Sequence, residues 1–340
     1  MSLVLDEHGT FLGKSGRSLY VKTPSGKKTR RSTYNLQEVI SLCNCSVSSQ
    51  AIELLSQNGI PFVMIRRGRP FAIVHPFFNH GTVHTRREQL SAYWDTRGGE
   101  LARAFVLGAM RNKANLLLYW SRNRRNTSPK LAANLEEKSN AIIDMEPLLE
   151  EIIGSPDEVR LDLMHVEGQA ARQYFEGLEL IIPEEFRFDG RTRRPPTDPV
   201  NAMLSYGYAI LYSRVFTTTA ACGLEPFAGY LHSDRSGKPS LILDVVEEFR
   251  QVSVDRTVMR LLSQRQVNPE GFILQEGKIM MNKDTKRLLL ANLLESFDVE
   301  LRVSSGRKRS LSQVMMSQCR SLVRFLIGKD KEYKPYIFRW

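Results

Sequence analysis

Leu101-Ala102-Arg103-Ala104-Phe105-Val106-Leu107-Gly108-Ala109-Met110-Arg111-Asn112-Lys113-Ala114-Asn115-Leu116-Leu117-Leu118-Tyr119-Trp120 is the stretch whose reading decides the fold. Its apolar residues recur at the 3.6-residue period of a helix, with Arg111 and Lys113 set between them. This predicts a long amphipathic helix with a basic face. Toward the C-terminus, helices are expected over 131–153, 158–176, 201–217, 245–262 and 286–296. Between residues 100 and 330 almost nothing alternates as a strand does. The short exceptions are Gly271-Phe272-Ile273-Leu274 and Lys278-Ile279-Met280-Met281.

Toward the N-terminus the pattern is different. Ser2–Leu5, Ser18–Thr23 and Tyr34–Leu42 are short runs rich in apolar residues and β formers. Ile60–Ile65 and Phe71–Val74 flank the basic turn Arg66-Arg67-Gly68-Arg69-Pro70 and read as a hairpin. One helix interrupts, Ser48–Gln57, stopped by Asn58-Gly59. His75-Pro76 and Asn79-His80-Gly81 punctuate the chain after the hairpin. The expected class is α+β: a small β-rich domain with one helix at 1–78, a connector at 79–90, and a larger helical domain at 91–340.

Composition bounds the function. The 340 residues carry 48 Lys and Arg against 37 Asp and Glu, a net charge of +11. Hydrophobic residues make up 42% and charged residues 25%, which is globular usage and excludes a disordered or collagen-like chain. No apolar run approaches the ~18–20 residues that span a bilayer. The start, Met1-Ser2-Leu3-Val4-Leu5-Asp6-Glu7, does not read as a secretory signal. Four cysteines are too few for a disulfide framework, so reduced thiols and a cytoplasmic location are expected. Cys43 and Cys45 with His75, His80 and His84 match no standard zinc-finger spacing. Met315-Met316 reads as core or interface filler.

The charge is clustered. Residues 101–130 hold seven basic side chains and no acid, 301–340 hold ten basic and two acidic, and 131–160 hold two basic and eight acidic. One basic run can be a solvated helix face. Two separate runs favour a polyanion, nucleic acid above all.

Four segments carry candidate chemistry. In Met164-His165-Val166-Glu167-Gly168-Gln169-Ala170-Ala171-Arg172, Glu167 sits on a helix beside small residues that let a neighbouring backbone come close and leave the carboxylate less crowded. A lone helical Glu is usually solvated, but an interior helical Gly costs about 1 kcal/mol relative to Ala and invites a reason. In Gly223-Leu224-Glu225-Pro226-Phe227-Ala228-Gly229-Tyr230-Leu231-His232-Ser233, His232 is either a core histidine or a ligand. In Leu243-Asp244-Val245-Val246-Glu247-Glu248-Phe249-Arg250, Asp244 could cap the following helix, or share a helix face with Glu247 and offer a second carboxylate. Two carboxylates and an imidazole suit Mn²⁺ or Mg²⁺ in phosphoryl transfer. In Arg187–Asn201, prolines hold the chain extended and Arg191, Arg193 and Arg194 present guanidinium forks suited to phosphates; a plain connector is the alternative.

Together these segments carry a resemblance. Glu167-Gly168 with Ala171-Arg172, the run Arg193-Arg194-Pro195-Pro196-Thr197-Asp198-Pro199-Val200-Asn201-Ala202, the run Gly223–His232, and Leu243–Arg250 resemble, in this order, the CRISPR-associated integrase, the larger core protein of spacer acquisition. The resemblance spans nearly the whole chain. It implies a β-rich N-terminal domain and a helical catalytic domain that binds metal and DNA. It implies homodimers that flank a dimer of a small ferredoxin-like partner. It implies an endonuclease and integrase dependent on Mg²⁺ or Mn²⁺ that joins 3′-hydroxyl ends of a short duplex, the protospacer, into a CRISPR repeat. By motif its catalytic metal triad falls on Glu167, His232 and Glu247, with Asp244 an alternative or supporting ligand. Arg191, Arg193, Arg194, Arg111 and Lys113, with the run Arg307-Lys308-Arg309, are expected to hold duplex DNA. Two rivals remain: a stand-alone, structure-selective metal nuclease acting on branched or repair intermediates, and a non-catalytic DNA scaffold. A membrane-surface role is not expected, since no helix clearly pairs a basic face with a Trp or Phe stripe.

Overall fold

The computed structural model describes residues 2–66, 69–75, 83–192, 195–302 and 308–338. They form two compact units, Met1–His80 and Gly81–Trp340.

In the first unit, β1 (Ser2–Leu5), β5 (Glu38–Ser41), β7 (Phe62–Arg66) and β8 (Arg69–Val74) make a sheet in the order β1-β5-β7-β8. Its first three strands run parallel and β8 returns antiparallel. A second sheet has the order β4-β3-β2-β6, from β2 (Thr10–Ser15), β3 (Ser18–Lys22), β4 (Lys28–Ser32) and β6 (Cys45–Val47). The core draws on both sheets and on α1 (Ser49–Gln57): Leu5, Leu12, Leu19, Val21, Val39, Leu54, Leu55 and Phe62 pack together. The expected hairpin and helix are both present. Ser48 caps α1, its Oγ accepting from Ala51 N at 3.2 Å, and the chain leaves through Asn58. Strands β2, β4 and β6 had no counterpart in the sequence reading.

The second unit is built on α3 (Thr96–Arg124), capped by Asp95, whose carboxylate accepts from Arg97 N at 2.9 Å. Around it lie α2 (Val83–Ser91), α4 (Pro129–Ile143), α5 (Pro147–Glu150), α6 (Pro156–Glu179), α7 (Pro199–Ala221), α8 (Ser240–Val246), α9 (Arg256–Ser263), α10 (Lys283–Asp298) and α11 (Leu311–Leu326). Small hairpins β9 (Phe272–Gln275) with β10 (Lys278–Met281), and β11 (Glu300–Arg302) with β12 (Lys308–Ser310), interrupt. Thus the α+β class holds, with strands first and helices after. Pro129, Pro147, Pro156 and Pro199 open α4, α5, α6 and α7, where a missing N–H costs nothing. Among the described residues no helix is long and apolar enough to cross a membrane.

Several boundaries differ from expectation. Most of the expected connector 79–90 is helix, Val83–Ser91, and joins the second unit. The helix expected over 131–153 breaks into α4 and α5 near Asp144. That over 245–262 starts earlier, at Ser240, turns at 247–249, passes through a π-helical stretch Gln251–Asp255 and ends in α9. The close approach of α3 to the start of α6 needs glycine: a Cβ on Gly99 would lie 1.9 Å from Gly154 O.

Candidate active site

Glu167 lies on the α6 face toward α3, and its Oε1 accepts from Lys113 Nζ at 2.5 Å. Lys113 is only 3% exposed. It is therefore not part of a solvent-facing basic face, because its ammonium is committed to Glu167. The expectation for Gly168 is also corrected. A Cβ there would meet nothing within 4 Å, so Gly168 admits no neighbouring backbone and opens the surface beside Glu167.

His232 closes the loop between α7 and α8. The loop is held from two sides. Gln89 of α2, itself buried, donates to Glu225 O at 2.9 Å and Ala228 O at 2.8 Å, and accepts from Glu225 N at 2.7 Å. Asp244 of α8 accepts from the backbone N–H of Tyr230, Leu231 and His232 at 2.6, 3.1 and 2.9 Å. Its Oδ1 also meets His232 Nδ1 at 2.8 Å. The approach of loop to helix is so close that a Cβ on Gly229 would sit 2.6 Å from the Ser240 carbonyl carbon.

These contacts assign Asp244. It is fully buried inside α8 and does not cap a helix. Its two oxygens receive four hydrogen bonds, which fills a carboxylate's lone pairs. Asp244 is therefore a positioning carboxylate. It orients the imidazole through Nδ1 and leaves Nε2 directed away, the pattern of a carboxylate behind a metal-binding histidine.

One helical turn on, Glu247 is 4% exposed. Its Oε1 pairs with Arg250 Nη1 at 2.7 Å, an i,i+3 bridge, while its Oε2 is buried with no hydrogen-bond partner among the described residues. Burial acts to lower the Arg250 pKa, but Glu247 overrides it and holds the guanidinium above its ordinary value, helped by Tyr212, Tyr208 and Glu167. Arg250 thus lies within the fields of both acidic side chains. Three pairs thus make up the site: Lys113 with Glu167, Arg250 with Glu247, and Asp244 with His232.

Behind the site, Arg250 and Arg191 both lie over the Tyr208 ring, at 5.1 and 5.4 Å from its centroid. Tyr208 and Tyr174 donate to the buried Asp255 at 2.6 and 2.7 Å. Burial pushes the Asp255 carboxyl up and both phenols well above their usual range.

The expected DNA-contacting arginines divide. Arg191 is turned inward: its guanidinium bonds Thr192 O, Asn201 Oδ1 at 2.6 Å and Ser205 Oγ at 3.1 Å. Asn201 also ties Gly190 O and Asp198, the cap of α7, so this part of the loop is anchored. Arg193, Arg194 and Arg307 lie outside the described residues. Arg111 pairs with Glu146 and lines a shallow groove of about 520 Å³ that also takes in Asn115, Arg122 and Ile337. Sequence reasoning missed Gln89, which fell in the expected connector. It also missed Arg250, which i,i+3 spacing from Glu247 does signal.

Comparison with known proteins decides the family. The family model described as CRISPR associated protein Cas1 matches residues 3–295. The chain belongs to the Cas1 family. A relative named CRISPR-associated endonuclease Cas1 1, from Archaeoglobus fulgidus, is 35% identical over the full length of both chains. Among solved structures, a Cas1 protein from Thermotoga maritima matches with a TM-score of 0.78 at 24% identity, covering 98% of this chain and 99% of that one. A casposase bound to integration product matches with a TM-score of 0.84 at 21% identity, covering 98% and 92%. These two likenesses show the shared fold. Curated relatives in the family, from Archaeoglobus fulgidus and Korarchaeum cryptofilum, bear the name endonuclease.

A divalent metal must be tested against the side chains themselves. Among the described residues no group of three or more His, Cys, Asp and Glu stands arranged to hold an ion. The donor chemistry nonetheless fits. Glu247 offers a buried oxygen without a hydrogen-bond partner among the described residues, Glu167 a carboxylate paired with Lys113, and His232 an imidazole braced through its other nitrogen.

Proposed function

We propose that the chain is a metal-dependent DNA endonuclease and integrase, which joins the 3′-hydroxyl ends of a short duplex into a CRISPR repeat by transesterification. The buried oxygen of Glu247 that has no hydrogen-bond partner among the described residues, one turn from the carboxylate that braces His232, carries this reading. Glu167, His232 and Glu247 would hold Mg²⁺ or Mn²⁺. Bound there, the ion supplies Lewis-acid polarisation of the phosphate and stabilises the leaving oxygen.

The chain's own residues prepare that step. Asp244 fixes the imidazole. Lys113 pairs with the Glu167 carboxylate and Arg250 with that of Glu247. Their positive charge also favours a phosphate arriving between them. In the joining step the 3′-oxygen forms a bond to phosphorus, the target strand's bond to its own 3′-oxygen breaks, and one proton passes from the attacking to the leaving hydroxyl. Water in place of the 3′-hydroxyl gives hydrolysis at the same site. The name borne by the Archaeoglobus relative supports that nuclease outcome, and the casposase bound to its integration product supports the joining outcome.

Duplex DNA would lie along basic surface that includes Arg111 and Arg122, with Arg193 and Arg194 kept as proposed contacts from the sequence motif alone. Homodimerisation and a small ferredoxin-like partner dimer complete the proposed assembly. The test is a joining assay. A labelled duplex with free 3′-hydroxyls is mixed with a supercoiled plasmid carrying a CRISPR repeat, with Mn²⁺ or Mg²⁺, with and without the small partner. Label transferred to the plasmid by wild type and not by Glu167→Gln is the expected result. Plasmid nicking without transfer in every arm, including that with the partner, would leave only the nuclease reading.

A further inference from the structure

Glu248, next to Glu247, is a fully buried carboxylate that the proposed chemistry does not use. It faces the C-terminal segment. Its Oε1 accepts from Tyr333 Oη at 2.6 Å, and its Oε2 from Tyr336 N at 2.7 Å and Gln318 Nε2 at 3.1 Å. Its backbone carbonyl accepts from Asn112 Nδ2 of α3 at 2.9 Å. Asn112 holds the tail as well, donating to Tyr336 O at 2.8 Å and accepting from Phe338 N at 2.7 Å. Asn115 adds a bond to Phe338 O at 2.7 Å. Phe249 stacks on Tyr336, with centroids 5.5 Å apart and planes at 20°. Gly108 lets the tail lie flat on α3, because a Cβ there would come within 2.9 Å of Pro335 Cβ and 3.2 Å of Glu248 Cγ.

These contacts converge where the helix is irregular. The amides of Glu247, Glu248 and Phe249 bond three residues back, to Asp244, Val245 and Val246, and the chain then enters the π-helical stretch 251–255. Such irregular stretches inside a helix are uncommon and mark a hinge, local strain or a functional site. Slipping the ladder by one residue would turn every following side chain by about 100°. Glu247 would then lose its place relative to Asp244 and His232, which are fixed to each other upstream. Its own side chain is held by Arg250, which lies on the moving side of the break.

We propose that the segment Tyr333–Phe338 is a strap that sets the position of the Glu247 carboxylate, with Glu248 as the positioning residue through which it acts. The inference rests on Glu247 being a metal-binding carboxylate, as proposed above. Glu248 touches neither metal nor DNA. Its effect is to keep the turn at 247–249 in the form that fixes where Glu247 stands relative to Asp244 and its bound imidazole.

The experiment compares full-length wild type with Tyr333→Phe, Glu248→Gln and Glu248→Ala. Mn²⁺ binding is measured directly by calorimetry or by the electron paramagnetic resonance signal of free Mn²⁺. The Mn²⁺ concentration that half-activates plasmid cleavage is measured alongside, with duplex affinity in Ca²⁺ as the control. Tyr333→Phe deletes one hydroxyl and is the variant chosen to keep the fold, checked by its circular dichroism and melting temperature. Residues that support a ligand from behind typically change metal affinity about 10–100-fold. Glu248→Ala is expected to weaken Mn²⁺ binding and raise the half-activating concentration by about tenfold or more. Tyr333→Phe and Glu248→Gln, which keep part of the clamp, are expected to fall between it and wild type, with duplex affinity unchanged. A folded Tyr333→Phe and a folded Glu248→Gln that both match wild type in Mn²⁺ affinity and half-activation overturn the strap. A wild type without Mn²⁺ binding or Mn²⁺-dependent cleavage overturns the metal-site reading itself, and the strap with it.

Discussion

Lys113 donates to Glu167 at 2.5 Å from a position sealed between α3 and α6, so the acid expected to hold metal is already neutralised by a buried base. Removing Lys113 takes away a charge-assisted hydrogen bond to a carboxylate that is itself 24% exposed. Lys113→Met is therefore expected to lower unfolding free energy by about 1.5–3 kcal/mol in urea titrations. Lys113→Met combined with Glu167→Gln should regain part of it, because the group that Lys113 faced is then neutral. Equal losses in the single and double variants would show that the pair contributes little.

Glu167→Gln, Glu247→Gln and His232→Ala should each reduce metal-dependent cleavage and joining by about 100-fold or more. Duplex affinity measured without catalysis should stay within about twofold, since none of the three supplies the basic surface. A variant that cuts at the wild-type rate removes that residue from the site.

Asp244→Asn tests positioning against ligation. The amide nitrogen would face backbone N–H donors that the carboxylate now accepts from, at Tyr230, Leu231 and His232. Mn²⁺ affinity should fall about 10–100-fold while activity returns in part at high Mn²⁺, as for a residue that supports a ligand. Complete loss at every Mn²⁺ concentration, in a folded protein, would make Asp244 a ligand.

Cys43 offers a pH-dependent check on the first unit. Burial first, then the neighbouring Cys45, pushes its thiol up to about 11. A thiol ionises more readily in the unfolded chain, near pH 8.5. Above that pH the unfolded state binds fewer protons, so stability contributed by neutral Cys43 falls as pH rises from about 8.5 toward 11. Denaturation of wild type and Cys43→Ala at pH 8 and pH 10.5 measures this. The drop between the two pH values should shrink in the variant. An unchanged drop would place the effect elsewhere.

How far the sequence showed all this depends on what each residue answers to. The period of 101–120 reports burial directly, and α3 followed from it. Strand β4, Lys28-Thr29-Arg30-Arg31-Ser32, carries no apolar face because it is an exposed sheet edge, so its pattern was silent. Glu167, His232, Asp244 and Glu247 were legible through motif resemblance, and their local partners were not. Lys113 looked like surface charge because a helical wheel cannot show that a facing helix brings a carboxylate to it. The turn at 247–249 is gripped by Tyr333 and Tyr336, almost ninety positions away, and no local pattern encodes those contacts.

Gly229 gives the last prediction. Its amide donates to Ser240 Oγ at 2.9 Å, and a Cβ would fall 2.6 Å from the Ser240 carbonyl carbon and 2.7 Å from Asp244 Oδ2. The first obstacle is backbone and the second is a carboxylate tied by four hydrogen bonds, so neither yields cheaply. Gly229→Ala must push the loop off α8, and overpacking of this kind costs about 1–3 kcal/mol. The displacement acts on Tyr230 and Leu231 first and reaches His232 through the same carboxylate. Cleavage should therefore fall by more than the loss of folded protein accounts for, with the half-activating Mn²⁺ concentration raised. Gly168→Ala is the matched control, since its Cβ meets nothing within 4 Å and helix propensity favours Ala by about 1 kcal/mol. It should leave stability equal or higher. If Gly229→Ala loses stability but keeps wild-type Mn²⁺ activation in its folded fraction, the loop's grip on Asp244 does not set the imidazole.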